Sequence, residues 1–257
     1  DTYTKDKAGS ASIWVKDFIK KSKYKNKIFI YGYIKSLNKK NLINQKNYIN
    51  RDIARLFPKL DKRAYERFLF TLSKLSGTIL NKSNLARSIE ISEGSIRQYL
   101  QIVSGTYLWQ ALPSYEKSVI KSVIKMPKGY IKDSGLLHFL LQINSYEKLE
   151  RDPIIGSSFE GFVIEEIISG LQATMQTNWA PYYYRTRRGA EIDLILDGHF
   201  GQLPIEIKFG VEVTNRALHS LQTFIQENGL DLGLVINQSN SVRWLAPKIL
   251  QVPINYI

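Results

Sequence analysis

Two apolar strand-like runs carry charges in their interiors, and they limit the architectures open to this 257-residue chain more than any other feature. The first is Gly189-Ala190-Glu191-Ile192-Asp193-Leu194-Ile195-Leu196, and the second is Pro204-Ile205-Glu206-Ile207-Lys208, whose Glu206 lies thirteen residues on from Asp193. Side chains alternate across a strand, so Glu206 and Lys208 share one face while Ile205, Ile207 and Phe209 share the other. Helical patterns precede and follow these runs, over Ser157–Leu171 and Thr214–Glu227. Helices on both sides of a sheet cover both of its faces, and charges on a covered face need each other or a metal. With strands also expected over Pro181–Thr186 and Leu232–Asn237, the order is helix, three strands, helix, strand. That order predicts an α/β layout with a mixed sheet.

The helix before the strands supplies another carboxylate. At about 100° per residue, Val163, Ile164, Ile167 and Leu171 centre on the direction of Glu160. Ser157-Ser158-Phe159-Glu160 also matches the S-x-x-E capping box, so Glu160 has two readings, as a helix cap or as a metal ligand. Carboxylate oxygens from Asp193, Glu206 and Glu160 suit Mg²⁺ or Mn²⁺, and Lys208 beside them could orient a water or offset charge on a phosphate. This set points to metal-assisted phosphodiester hydrolysis, with Asp193, Glu206 and Lys208 as the catalytic candidates. Arg185, Arg187 and Arg188 precede the Asp193 strand and either grip a nucleic-acid backbone or form a solvated loop.

Charge divides the chain. Residues 1–150 hold 28 Lys+Arg against 12 Asp+Glu, and residues 151–257 hold 8 against 11, so the balances of +16 and −3 sum to the net +13. A basic half followed by a mildly acidic half suggests two modules, the first suited to a polyanion. Residues 1–60 read as a basic N-terminal segment. Within 61–145, Asp61 caps a helix bearing Tyr65, Phe68, Leu69, Leu72 and Leu75, with Gly77 after its last turn. Asn84–Glu90 and Ser95–Val103, joined by Ile91-Ser92-Glu93-Gly94, then form a helix-turn-helix pattern. Ile96, Tyr99, Leu100 and Val103 make the buried face of its second helix, leaving Ser95, Arg97, Gln98 and Gln101 outward for phosphates or base edges. Tyr107–Leu112 and Lys128–Lys132 read as two strands of a wing. The unit either contacts DNA or serves only in packing. A boundary is expected near 144–155, ahead of a module over 150–257.

The chain has no cysteine, which excludes thiol catalysis and cysteine–zinc sites and fits a reducing, cytoplasmic compartment. No apolar run is long enough for a membrane span and no signal peptide is read; the start at Asp1 suggests a fragment or processed chain. His138, His199 and His219 are scattered singly and read as structural.

Asp193 with Glu206-Ile207-Lys208, on the second and third strands after a helix bearing Glu160, resembles the PD-(D/E)XK nuclease superfamily. Ile192 stands where that superfamily often has proline. A wider resemblance rests on Tyr48 to Ile53, Phe68 to Asn81, Asn84 to Ala86, Tyr130 to Leu137, Gly156 to Glu160, Tyr184 to Thr186, Gly189 to Asp193 and Pro204 to Lys208. These look like a prokaryotic family of uncharacterised AAA-type ATPase-like proteins, in which a winged helix and a PD-(D/E)XK-like domain follow the ATPase. The resemblance implies a winged helix-turn-helix over 61–145 and a restriction-endonuclease-like domain over 150–257, an α/β fold (α+β overall), with residues 1–60 as a remnant of the ATPase lid. None of the sixteen glycines is followed by lysine, so no phosphate loop is present and no ATP is expected. The expectation is a Mg²⁺- or Mn²⁺-dependent DNA nuclease. The alternative is a non-catalytic DNA-binding or interaction module working with an ATPase partner or a missing ATPase domain.

Overall fold

The computed structural model describes residues 53, 56–58, 60–116, 126–186 and 189–257. The basic segment before residue 53 and the pair Arg187 and Arg188 lie outside the described residues.

Among the described residues, the first part is built from three helices and a small sheet. Helix α1 spans Lys62–Lys74, and Asp61 caps it by accepting from the amides of Arg63 and Ala64. Its apolar residues recur at helical spacing, which buries Tyr65, Phe68, Leu69 and Leu72 against α2 (Lys82–Ser88) and α3 (Glu93–Gly105). Asn81 and Ser92 cap those two helices. Ile96, Tyr99, Ile102 and Val103 form the buried stripe of α3, where the Tyr99 ring meets Tyr65 and Phe68 edge-on at 5.3 Å each. Leu100, expected in that stripe, is half-buried, and Ile102 takes its share.

Strands β1 (Thr78–Ile79), β2 (Trp109–Leu112) and β3 (Lys128–Ile131) form an antiparallel sheet in the order β1-β3-β2. The two expected strands therefore pair with each other, and the short β1 joins them on the other side of β3. All four residues of β3 are buried. Trp109 lies across Gly129 so closely that a Cβ there would fall inside its ring. Helices α4 (Ser134–Leu140, capped by Asp133) and α5 (Tyr146–Arg151) lead into the second part.

There α6 (Ile155–Gln172) and α7 (Asn215–Glu227) flank a six-stranded mixed sheet. Its strands are β4 (Trp179–Arg185), β5 (Glu191–Gly198), β6 (Gly201–Ile207), β7 (Gly233–Asn237), β8 (Arg243–Ala246) and β9 (Ile249–Pro253), in the order β4-β5-β6-β7-β9-β8. Pairing is antiparallel from β4 to β6, parallel from β6 through β7 to β9, and antiparallel again at the edge strand β8. The fold is a mixed α/β arrangement, as expected. On one face Leu194, Leu196, Ile205 and Ile207 pack with Val163, Ile164 and Ile168 of α6; on the other Ile192 and Ile195 pack with Leu221, Phe224 and Ile225 of α7.

The capping box expected at Ser157–Glu160 does not form. Helix α6 starts at Ile155, so Ser157 lies inside its first turn and its hydroxyl donates to the Ile154 carbonyl, while Glu160 is carried into the helix body. Asp152 takes the Ile154 amide instead.

The two parts are joined through β3. Tyr130 belongs to the core beneath α6, and Gly161 makes room for it, since a Cβ there would stand 2.9 Å from its ring. Tyr183 of β4 continues the seam, exchanging backbone hydrogen bonds with Pro113 and Tyr115 and donating its hydroxyl to the Met126 carbonyl. Lys132 pairs with Glu165 at 2.9 Å, and His138 Nε2 lies 2.8 Å from Ser158 Oγ.

Two glycines of α6 test this packing. Gly170 has nothing within 4 Å of an added Cβ, so Gly170→Ala should stabilise by about 0.5–1 kcal/mol through helix propensity. Gly161→Ala makes the same chemical change against Tyr130 and should destabilise by about 1–2 kcal/mol. Urea unfolding of both variants checks the opposite signs.

Candidate functional site

The ladder between β5 and β6 is paired from Gly198↔Gly201 down to Leu194↔Ile205 and stops there. One residue further, the Asp193 carboxylate replaces the backbone as acceptor: its Oδ2 takes the Ile207 amide at 2.9 Å. The strands part at this point, and the gap is where the charged residues meet.

Lys208 follows the end of β6 and its ammonium bridges Asp193 Oδ2 at 3.3 Å and Glu206 Oε1 at 2.6 Å. Glu160, one turn into α6, reaches the same cluster. The structure thus brings together Glu160, Asp193, Glu206 and Lys208. Their mutual contacts run through lysines, and one of those lysines was not expected. Lys128, the first residue of β3, places its ammonium 2.6 Å from Glu160 Oε1, 3.3 Å from Glu191 Oε1 and 3.7 Å from Asp193 Oδ1. Tyr130, two residues along the same strand, donates its hydroxyl to Glu160 Oε1. Among the described residues no group of three or more His, Asp or Glu side chains converges as a metal cage.

Burial sets the electrostatics. Desolvation, followed by repulsion from Asp193, pushes the Glu160 carboxyl up to about 7 against the pull of Lys128 and Tyr130. The same two causes push Glu206 up to about 8 despite the Lys208 pair. Desolvation would lower both lysines, but the surrounding carboxylates outweigh it and raise them. One oxygen stands out: Glu206 Oε2 is buried and has no hydrogen-bond partner among the described residues.

Sequence reasoning missed Lys128, Glu191 and Tyr130. Lys128 carried a signal of the same kind as Glu206, a charge set at the start of the apolar run Gly129-Tyr130-Ile131; its partners were unreadable because they lie 32 and more residues away. The remaining candidates sit elsewhere. Arg97, Gln98 and Gln101 are exposed and Ser95 is half-buried on α3, with Arg97 3.6 Å from Glu93 one turn back. Ser95 contacts the capping hydroxyl of Ser92. Arg185 is exposed at the end of β4, opposite Glu191 in the strand register.

The part of the chain that holds the carboxylates is recognisable by sequence. Residues 155–257 match a domain of unknown function, DUF4143. DUF4143 is usually seen in AAA-ATPase-associated proteins. Residues 35–147 match a second domain of unknown function, DUF8612. Two uncharacterized mycobacterial proteins, Rv2008c of Mycobacterium tuberculosis and Mb2031c of Mycobacterium bovis, are each 33% identical over 150 residues, or 58% of this chain. The match covers 33% of each relative, so the chain spans about a third of their length. No solved structure matches.

The raised carboxyls have a signed consequence. Glu160 and Glu206 keep protons in the folded chain to higher pH than when unfolded. Their stabilising contribution is therefore complete below an ordinary Glu value of about 4.3 and is lost as pH rises through about 7 and about 8. Burial lowers His138 below its ordinary 6.5, which acts in the opposite sense only on the acid side. With chelator present, the melting temperature should fall between about pH 6.5 and 8.5, and Glu206→Gln should flatten that fall. Parallel slopes for the two proteins in thermal melts would rule this out.

Proposed function

We propose that this chain is a metal-dependent phosphodiesterase acting on nucleic acid, with the second part as a PD-(D/E)XK-like nuclease domain and the first as a DNA-binding winged helix. The reading is carried by one observation: Lys208 is held between Asp193 and Glu206 where β5 and β6 part, and Glu206 leaves a buried oxygen unpartnered. Further support comes from the order α6-β4-β5-β6-α7-β7, with β5 and β6 antiparallel and β6 and β7 parallel.

The donor set fits a divalent cation. Asp193 and Glu206 offer hard carboxylate oxygens, and a buried oxygen with no partner is satisfied by a metal as well as by a proton. Mg²⁺ or Mn²⁺ bound there would polarise a phosphate and acidify a coordinated water. The chain's own contribution is positional. The Ile207 amide fixes Asp193, and Lys208, anchored by two carboxylates, holds its ammonium with the side chain 35% exposed, against 6% for Asp193 and Glu206. A phosphate arriving from solvent meets Lys208 first, where the ammonium offsets charge gathering on the phosphate oxygens. The exposed face of α3, with Arg97, Gln98 and Gln101, supplies backbone and base-edge contacts.

A second reading, a non-catalytic DNA-binding or interaction module of an AAA-type ATPase-like protein, is favoured by the DUF4143 match. Incubation of supercoiled, single-stranded and branched DNA with Mg²⁺ or Mn²⁺ separates the two. Metal-dependent cleavage should fall by about 10²-fold or more in Asp193→Ala and Lys208→Ala. Cleavage that persists in both variants, or no cleavage with metal-independent DNA binding intact, sinks the enzyme reading.

The α3 contacts have their own test. Arg97→Ala should weaken DNA binding in fluorescence anisotropy and reduce the slope of log affinity against log salt by about 1, the loss of one phosphate contact. An unchanged slope and affinity would remove α3 from the interface.

A further inference from the structure

We infer that the Lys128 ammonium is a built-in cation that takes the place of a second divalent ion, so that the site is completed across the two parts of the chain and holds one metal where its carboxylates could hold two. The inference rests on the preceding reading for the first metal, at Asp193 and Glu206.

Glu160, Glu191, Asp193 and Glu206 crowd into one gap, and Asp193 and Glu206 are almost fully enclosed. Negative groups at this density in an apolar setting must be offset by positive charge or by protons. Lys208 serves the Asp193–Glu206 side. Lys128 serves the other side, donating hydrogen bonds to Glu160 Oε1 at 2.6 Å and Glu191 Oε1 at 3.3 Å, with Asp193 Oδ1 at ion-pair distance, 3.7 Å. A simple interdomain strut needs one partner. Here three carboxylates from three separate places, α6 and two positions of β5, converge on one ammonium whose side chain is only 5% exposed. The ammonium is the cation that these three carboxylates share, and β3 supplies it. Glu160 is then the anchor of Lys128, held by the Tyr130 hydroxyl as well, in place of the metal ligand that the sequence suggested. Asp193 has both oxygens engaged, Oδ1 toward Lys128 and Oδ2 by Lys208 and Ile207, whereas the buried Glu206 Oε2 has no hydrogen-bond partner among the described residues.

Counting bound Mn²⁺ on the full chain by electron paramagnetic resonance or calorimetry tests this. Lys128→Met should bind about one Mn²⁺ more than the wild type, and the added ion should vanish in Lys128→Met/Glu160→Gln. Lys128→Arg, which keeps the charge, should leave the count unchanged. Equal counts in wild type and Lys128→Met would overturn the inference. If Lys128→Met does not fold in chelator, Mn²⁺ should restore a cooperative thermal transition, because a divalent ion replaces the missing ammonium; a variant that stays unfolded with Mn²⁺ also overturns it. The preceding reading fails separately, when the wild type binds no Mn²⁺ that Glu206→Gln removes. A wild type with no ion and a Lys128→Met protein with one would leave Lys128 as the stand-in for a divalent ion, with the first metal and the enzyme reading fallen.

Discussion

The packing of two lysines among four carboxylates, with Asp193 and Glu206 almost fully enclosed, is the constraint on which the rest of this molecule depends. An isolated buried carboxylate is expelled or neutralised, and removing one member of a buried ion pair typically costs about 3–5 kcal/mol. The chain can keep Asp193 and Glu206 almost fully enclosed only because Lys208 lies beside both and Lys128 closes the far side. Positions as remote as β3, α6, β5 and the end of β6 are therefore tied together by electrostatics as well as by apolar contact.

The requirement explains features that are otherwise unrelated. Lys128 reaches Glu160 only if β3 lies directly beneath α6, which in turn requires Gly161 opposite Tyr130 and Gly129 beneath Trp109. Gly77 meets the same demand at a turn with φ of +82°, where an added Cβ would fall 2.4 Å from that of Ser157. Three glycines thus mark close approaches around one charge. The halt of the β5–β6 ladder at Leu194 belongs to the same design: the carboxylate of Asp193 takes over the hydrogen bond the backbone gives up.

Much of this was legible in the sequence, and the illegible remainder has a common cause. Charges inside apolar runs located β5 and the end of β6, and the 3.6-residue period located α1, α3 and α7. Local rules failed where partners are distant. The S-x-x-E match at Ser157 is a local pattern, but Lys128 and Tyr130 claim Glu160 from 30 or so residues away. Strand β9 escaped because its buried face includes Gln251 and Pro253 beside Ile249, so its alternation does not read as apolar. Gln251 is satisfied there by Asn237 and the Ser241 carbonyl, neither of which a window of sequence reveals.

The complete burial of β3 has one more implication. A strand that is free at the surface can be lengthened, shortened or exchanged, but this one carries a fixed electrical component for its neighbour. The halves on either side of residue 150 are therefore not interchangeable parts. A recombination that paired the second half with a foreign helical unit would have to bring a lysine at the same strand position or lose the charge balance of the gap. Covariation between position 128 and the carboxylates at 160, 191 and 193 is the trace such a bond leaves in descendants, and inheritance of the two halves as a single piece is its consequence.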